Sequence, residues 1–365
     1  MKILCVIDSL GSGGAQRQMV NLARGFKEKG HEVSFLTYHA ADFYGKLLDQ
    51  VAIPVKTITE SNYLKRLLKM RNYIRSGKYD VVLSFLEGPS FICEMAAFPW
   101  RKWKLLVGER NADPSIFKSH KLRAYRWFHL TADYVVSNSH ENIKMVKKIN
   151  PLLSDDKCKV IYNMVDFERW KPSENFEYRN KDTFSLIVVA NHQESKNAKG
   201  LVNAIHLLPV KYKDQIVVHW FGRRDSFELK LAYSEAESLV KKFKLEKIIS
   251  FFDPSLSIHE IVPDYDALGL FSFHEGLSNS VCEGMASGKP IISTDVSDIK
   301  LIIENGFNGF VVDSCQPESI KNTLIKLLDC SNEDLKIMGK NAGITANKLF
   351  NKETIVSEYI DLMLK

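Results

Sequence analysis

The sequence predicts an α/β protein of two Rossmann-like, doubly wound parallel-sheet domains facing a central cleft. Three observations predict it. The chain has 365 residues, more than one hydrophobic core usually organises. Short apolar runs alternate with amphipathic segments throughout, the pattern of parallel βαβ units. Near the middle a charged, aperiodic stretch containing Pro172, ERWKPSENFEYRNKDTF (168–184), reads as a linker. The domains are therefore set at 1–170 and 171–345, with 346–365 a C-terminal helix expected to pack back on the first domain.

In order, the strand-like runs of the first half are Lys2–Ile7, Val33–Tyr38, Asp80–Leu86, Lys104–Gly108, Tyr134–Ser137 and Lys159–Tyr162. Those of the second half are Ser185–Ala190, Ile216–Phe221, Ile248–Phe252, Ala267–Phe273, Pro290–Thr294 and Phe310–Val312. After the first run comes a glycine loop with Gly11, Gly13 and Gly14, then a helix with Met19, Leu22, Ala23 and Phe26 on one face. Gly30 closes that helix. Such a loop lets backbone approach an anion at the helix N-terminus, although a turn that only packs helix on strand has the same composition. Gln16 stands where a dinucleotide fingerprint requires its last glycine, and no acid follows the second run. Both features argue against a classical nicotinamide or flavin enzyme.

Composition narrows the class further. No stretch approaches the roughly 18 consecutive apolar residues of a spanning helix. The opening MKILCVID reads as a strand rather than a signal peptide. Six scattered cysteines, without a C-x-x-C pair, fit reduced thiols in a cytoplasmic protein and no metal site. Residues 1–170 carry 27 Lys and Arg against 17 Asp and Glu, whereas 171–365 carry 23 against 27. A basic first half calls for an anionic partner. No nucleic-acid reader motif is present, and the acidic second half opposes that class.

The most informative stretch is HEGLSNSVCEGMASGKP (274–290). Glu275 follows a buried strand, in the crevice where open α/β sheets bind ligands, and has no packing purpose. Glu283 is expected in the first turn of the next helix, where Ser280-x-x-Glu283 also has the form of a capping box. Amides at Ser278–Ser280 with the helix dipole suit a diphosphate. GMASGKP is one residue short of a phosphate-binding P-loop and has Pro290 in place of the magnesium ligand. The DYD at 264–266 reads as a solvated helix end.

This E-x7-E block resembles the signature of retaining GT-B glycosyltransferases of family 4, the glycosyl transferases group 1. The likeness runs along the chain: GSGGAQRQ resembles the family's glycine opening, VIYNMVDFERWKP the end of its first domain, and VVANHQESKNAKGLVNAI the start of its second. VVLSFLEGPS and LLVGERN resemble stretches of bacterial enzymes that extend polyprenyl-diphosphate-linked glycans. The resemblance implies that Glu275 contacts the donor sugar and Glu283 the ribose hydroxyls. It implies that Lys196 grips the donor diphosphate, beside Gly276, Leu277, Ser278, Asn279 and Ser280. Gly13 and Gly14 would approach the phosphate from the first domain. Two departures stand out. Asn191 replaces the usual arginine of a G-R pair, for which Arg223 or Arg224 would substitute. Arg110 stands where a histidine is common and would neutralise a phosphate.

The expected activity is transfer of a sugar from a nucleotide-sugar, UDP by family habit with GDP as alternative, to a glycan acceptor carried on a lipid diphosphate in surface polysaccharide assembly. Anomeric configuration would be retained, without a metal or other cofactor. Stabilising the departing diphosphate with preorganised cations and amides would supply most of the catalysis. The segments 62–78, 98–104 and 117–130 mix Lys and Arg with aromatic residues, which suits peripheral attachment at the inner leaflet. If Trp100, Trp103 and Trp127 are instead buried, that surface disappears. The rival function is an inactive or partner-dependent subunit that binds nucleotide only.

Overall fold

The computed structural model describes residues 1–110, 112–179 and 183–365. Asn111 of the GERN segment and residues 180–182 of the 168–184 stretch lie outside the described residues.

The chain divides into one unit of Met1–Met164 with Lys352–Lys365 and a second of Val165–Asn351. In the first, a seven-stranded sheet has the order β3-β2-β1-β4-β5-β6-β7. Its strands are β1 (Lys2–Val6), β2 (Glu32–Thr37), β3 (Val55–Thr57), β4 (Val81–Phe85), β5 (Lys104–Glu109), β6 (Tyr134–Ser137) and β7 (Cys158–Val160). In the second, six strands run in the order β10-β9-β8-β11-β12-β13. These are β8 (Phe184–Val189), β9 (Ile216–Phe221), β10 (Ile249–Phe252), β11 (Ala267–Leu270), β12 (Ile291–Thr294) and β13 (Gly309–Val312).

Every pairing is parallel, with Ile3 opposite both Val33 and Val81 in one sheet and Gly269 opposite Val188 in the other. Parallel sheets are covered on both faces, so their strands are apolar runs rather than alternating ones. β4 and β12 are buried at every position. β3 is the exception: three exposed residues on a sheet edge, with no apolar run to signal a strand. The run expected as Ala267–Phe273 stops at Leu270, and the residues beyond it turn into the site described below.

The helix Gly14–Glu28 buries Met19, Leu22, Ala23 and Phe26 as its spacing predicts. Gly30, at φ +83°, ends it in the left-handed region that glycine tolerates best, and the His31 amide donates back to Phe26 O. Residues 168–179, read as linker, belong to the second unit and carry packing residues. Trp170 is buried, and the Lys289 ammonium sits 3.4 Å from the Phe176 ring centroid. The proposed boundary at 345/346 falls inside the helix Asn332–Phe350, and the final helix is Lys352–Leu364. It lies against the first helix of its own unit. Phe26 meets Tyr359 edge-on at 6.3 Å, and Lys29 pairs with Glu353 at 2.7 Å. Gly25 permits the approach, because a Cβ there would fall 2.4 Å from a Val356 methyl carbon.

Candidate active site

The second sheet changes winding direction at β8: β9 lies on one side and β11 on the other. The loops leaving the carboxyl ends of β8 and β11 lie at this switch point, the place where open α/β sheets bind ligands. Lys196 follows β8 and Glu275 follows β11. Their side chains meet, with the Lys196 ammonium donating to Glu275 Oε1. Ser272 Oγ donates to the same oxygen at 2.7 Å. Both donors fall on Oε1, and no hydrogen bond to Oε2 is found among the described residues. A lysine ammonium carries three protons, so two remain for another acceptor.

Local structure explains the placement. The turn Glu194–Lys196 ends at Asn197, whose φ of 59° is left-handed, a conformation asparagine tolerates. Asn197 caps the helix Ala198–Leu207 by accepting from the Gly200 amide and donates to Cys315 O at 3.1 Å. Ser272 is fully buried, and its carbonyl accepts from Thr294 Oγ1 at 2.7 Å and Cys315 Sγ at 3.3 Å. The Phe273 amide donates to Ser195 O at 2.8 Å, joining the two loops directly.

The helix after Glu275 is Asn279–Ala286, with Ser278 as N-cap. Glu283 is therefore its fifth residue, two positions too deep for the expected capping box and outside the first turn. Ser280 Oγ instead shares a 3.0 Å hydrogen bond with Ser278 Oγ. Glu283 is only 9% exposed, and Leu277 is buried. Gly276, Ser278, Asn279 and Ser280 are half-buried around the helix N-terminus. Its amides favour an anion.

Asn191 accepts from the Arg223 amide at 3.3 Å and so ties the loops after β8 and β9. Gly222 is required at that junction, since a Cβ would lie 1.9 Å from Ala190 O. The Arg223 side chain is exposed, whereas Arg224 is held by Asp253 at 3.0 Å and lies over the Tyr233 ring.

In the first unit Gly13 and Gly14 begin the helix at the carboxyl end of β1. The Gln16 side chain folds over Gly13 and donates to Asp8 Oδ1 at 2.9 Å, taking up room that a third glycine would leave open. Arg110, expected at a phosphate, is engaged inside the unit. Its guanidinium lies 3.7 Å from the Phe85 ring centroid and donates to Asn163 and to the Tyr359 hydroxyl of the last helix. Its Nε is buried without a partner, and burial lowers its pKa.

Comparison with known proteins agrees with this geometry. Residues 170–344 match the family model described as Glycosyl transferases group 1, and residues 12–169 that of Glycosyltransferase Family 4. The chain belongs to the group 1 and family 4 glycosyltransferases. N-acetyl-alpha-D-glucosaminyl L-malate synthase of Bacillus anthracis is 22% identical over 95% of this chain and 92% of the relative. A Campylobacter jejuni transferase is 23% identical over 100% of this chain and 99% of the relative. Its name is N-acetylgalactosamine-N,N'-diacetylbacillosaminyl-diphospho-undecaprenol 4-alpha-N-acetylgalactosaminyltransferase. Among solved structures, Anabaena HepE in complex with UDP superposes with a TM-score of 0.86 at 19% identity, covering 100% of both chains. The fold is GT-B.

This glycosyltransferase also holds features that sequence reasoning missed. His192, next to Asn191, is buried with both ring nitrogens unpartnered, stacked 5.6 Å from Trp220 and set edge-on to Tyr233 and Phe251. Burial, reinforced by Arg224, pushes its pKa down to about 4, so the imidazole is neutral. The first unit contains a buried ionic chain. His129 bridges Glu94 at 2.5 Å and Glu109 at 2.8 Å, while Arg126 links Glu109 at 2.9 Å to Glu87 at 3.3 Å. Burial alone would lower the His129 pKa, but the two carboxylates raise it to about 9. Burial opposes ionisation of Glu109, which Arg126 and His129 overcome, leaving its pKa lowered. At Glu94 burial wins. Of the three tryptophans in the segments 98–104 and 117–130, Trp103 is buried, whereas Trp100 is 68% and Trp127 43% exposed. No helix among the described residues is long and apolar enough to cross a membrane.

Proposed function

We propose that this glycosyltransferase moves a sugar from a UDP-sugar to a glycan carried on a lipid diphosphate, retaining anomeric configuration and using no metal ion. The observation that carries the reading is the meeting of Lys196 and Glu275 at the switch point of the second sheet, beside a helix N-terminus. With Oε1 held by Lys196 and Ser272, Oε2 is left to orient the donor sugar's hydroxyls. The two remaining Lys196 protons and the amides at Ser278–Ser280 face the charge that builds on the departing diphosphate. Preorganised donors of this kind stabilise such charge most effectively where water is excluded. Glu283 would accept from the ribose hydroxyls. UDP is favoured because the HepE structure holds UDP, and the acceptor class because the C. jejuni relative acts on an undecaprenol-linked diphosphate.

Transfer would proceed by front-face attack, with the departing diphosphate taking the acceptor's proton as the new glycosidic bond forms. Exposed Trp100, Trp127, Leu64 and Leu68 beside Lys and Arg residues support peripheral attachment to an anionic bilayer. The test is transfer from a panel of UDP- and GDP-sugars to a polyprenyl-diphosphate glycan in EDTA, with the product anomer read by NMR. Retained configuration with a UDP donor supports the proposal. Inversion or an EDTA-abolished rate would overturn the corresponding part. Co-sedimentation with anionic but not neutral vesicles checks the membrane part, which fails if neither vesicle is bound.

A further inference from the structure

A second cationic group lies at the carboxyl ends of the first sheet, outside the residues discussed so far. Tyr38 follows β2, and Gly88 follows β4 so closely that a Cβ on it would lie 2.9 Å from the Tyr38 hydroxyl. Arg66, on the helix Tyr63–Ser76, lays its guanidinium 4.6 Å from the Tyr38 ring centroid and 5.4 Å from that of Tyr63. The Tyr63 hydroxyl meets that of Tyr125 at 3.3 Å, on the helix His120–Phe128. Tyr125 is fixed by stacking on Phe91 at 4.4 Å, and the Lys121 ammonium stands 5.6 Å from its ring.

The neighbouring carboxylates are committed elsewhere. Glu87 pairs with Arg126 at 3.3 Å, Glu60 with Lys69 at 2.6 Å, and Asp8 accepts from Gln16 and from the Ser9 amide. Arg66 forms no side-chain hydrogen bond or ion pair among the described residues, and its Nε is buried without a partner. Aromatic faces thus set the plane of a guanidinium whose donors have no protein acceptor. Arginine held in this way is suited to forked recognition of a phosphoryl oxygen pair, and tyrosine faces stabilise the cation without neutralising it. If the stacking served only to fasten the helix, an uncharged side chain of similar length would do the same.

We propose that Arg66, with Lys121 and the Tyr63 and Tyr125 hydroxyls, binds the phosphoryl group of the acceptor, a diphosphate ester. This rests on the transferase reading above, in which the acceptor is a lipid diphosphate.

The probe is geranyl diphosphate, titrated calorimetrically into the full chain already saturated with UDP, so that the donor diphosphate subsite is filled. Wild type is compared with Arg66→Gln and Arg66→Lys, each checked for an unchanged melting temperature. Arg66→Gln is expected to weaken geranyl diphosphate at least tenfold. Arg66→Lys, which keeps charge but loses the planar fork, weakens it several-fold. UDP affinity is unchanged in both. If Arg66→Gln fails to fold, the pair Lys121→Gln and Tyr63→Phe takes its place, with the same tenfold loss expected. No binding by the wild type, or equal binding by the variants, overturns the proposal. So does a loss confined to anionic vesicles, which would make the cluster a membrane contact. Failure of the wild type to bind UDP would instead contradict the donor reading, so the two can fail separately.

Discussion

Raising the pH should weaken the first unit specifically, through His129. This imidazole is 2% exposed and lies between Glu94 and Glu109. Its folded pKa of about 9 exceeds the ordinary 6.5. A group whose pKa is raised by folding stabilises fully below its unfolded pKa and loses that contribution as pH climbs through the folded one. The window is therefore pH 6.5 to 9. At roughly 1.4 kcal/mol per pH unit the loss is about 3 kcal/mol. Burial raises the Glu94 pKa, which acts in the same direction over its own range. With a urea m-value of roughly 2 kcal/mol/M, the midpoint should fall by about 1.5 M. The assay is urea unfolding across pH 6 to 10 with pulse proteolysis, reading peptides from 87–97 and 120–137. Glu94→Gln/His129→Gln serves as the control for all other titrations. A flat midpoint in the wild type, or an equal decline in the double variant, would refute a charged His129.

Three further outcomes follow from named contacts. Ser272→Ala removes one of the two donors on Glu275 Oε1. It should lower kcat about tenfold, the value of roughly 1.4 kcal/mol of lost orientation, with donor KM little changed and partial rescue by Ser272→Thr. Gly25→Ala sets a Cβ 2.4 Å from a Val356 methyl carbon. It should cost about 1–3 kcal/mol in thermal unfolding, and Val356→Ala should restore most of that. Glu283→Gln should raise the Kd for UDP about tenfold in a calorimetric titration while leaving the melting temperature of the free protein within a few degrees.

What the sequence made legible follows from burial. Strands covered on both faces announce themselves as apolar runs, so twelve strand positions could be read. β3 could not, because Val55, Lys56 and Thr57 are all exposed. Glu275 was legible as an acid past a buried strand with nothing to pack. Its partner Lys196 lies 79 residues away and was reached only through resemblance. The capping box misled because Ser278 and Ser280 compete for the helix start, and only backbone geometry decides between them. Arg110 was invisible as a packing residue, since its partners Asn163 and Tyr359 lie far along the chain. His192 carried a weak signal, a histidine directly after a buried strand. The ring of Trp220, Tyr233 and Phe251 around it could not be assembled from spacing.

The most direct measurement is calorimetric binding of UDP to the full chain in EDTA, comparing wild type with Lys196→Ala. A donor diphosphate held by Lys196 at the switch point of the second sheet requires tight binding by the wild type. It also requires a loss of at least tenfold in the variant, with its melting temperature unchanged or higher. Equal affinity in the two proteins, or no binding to either, would contradict the assignment of this site.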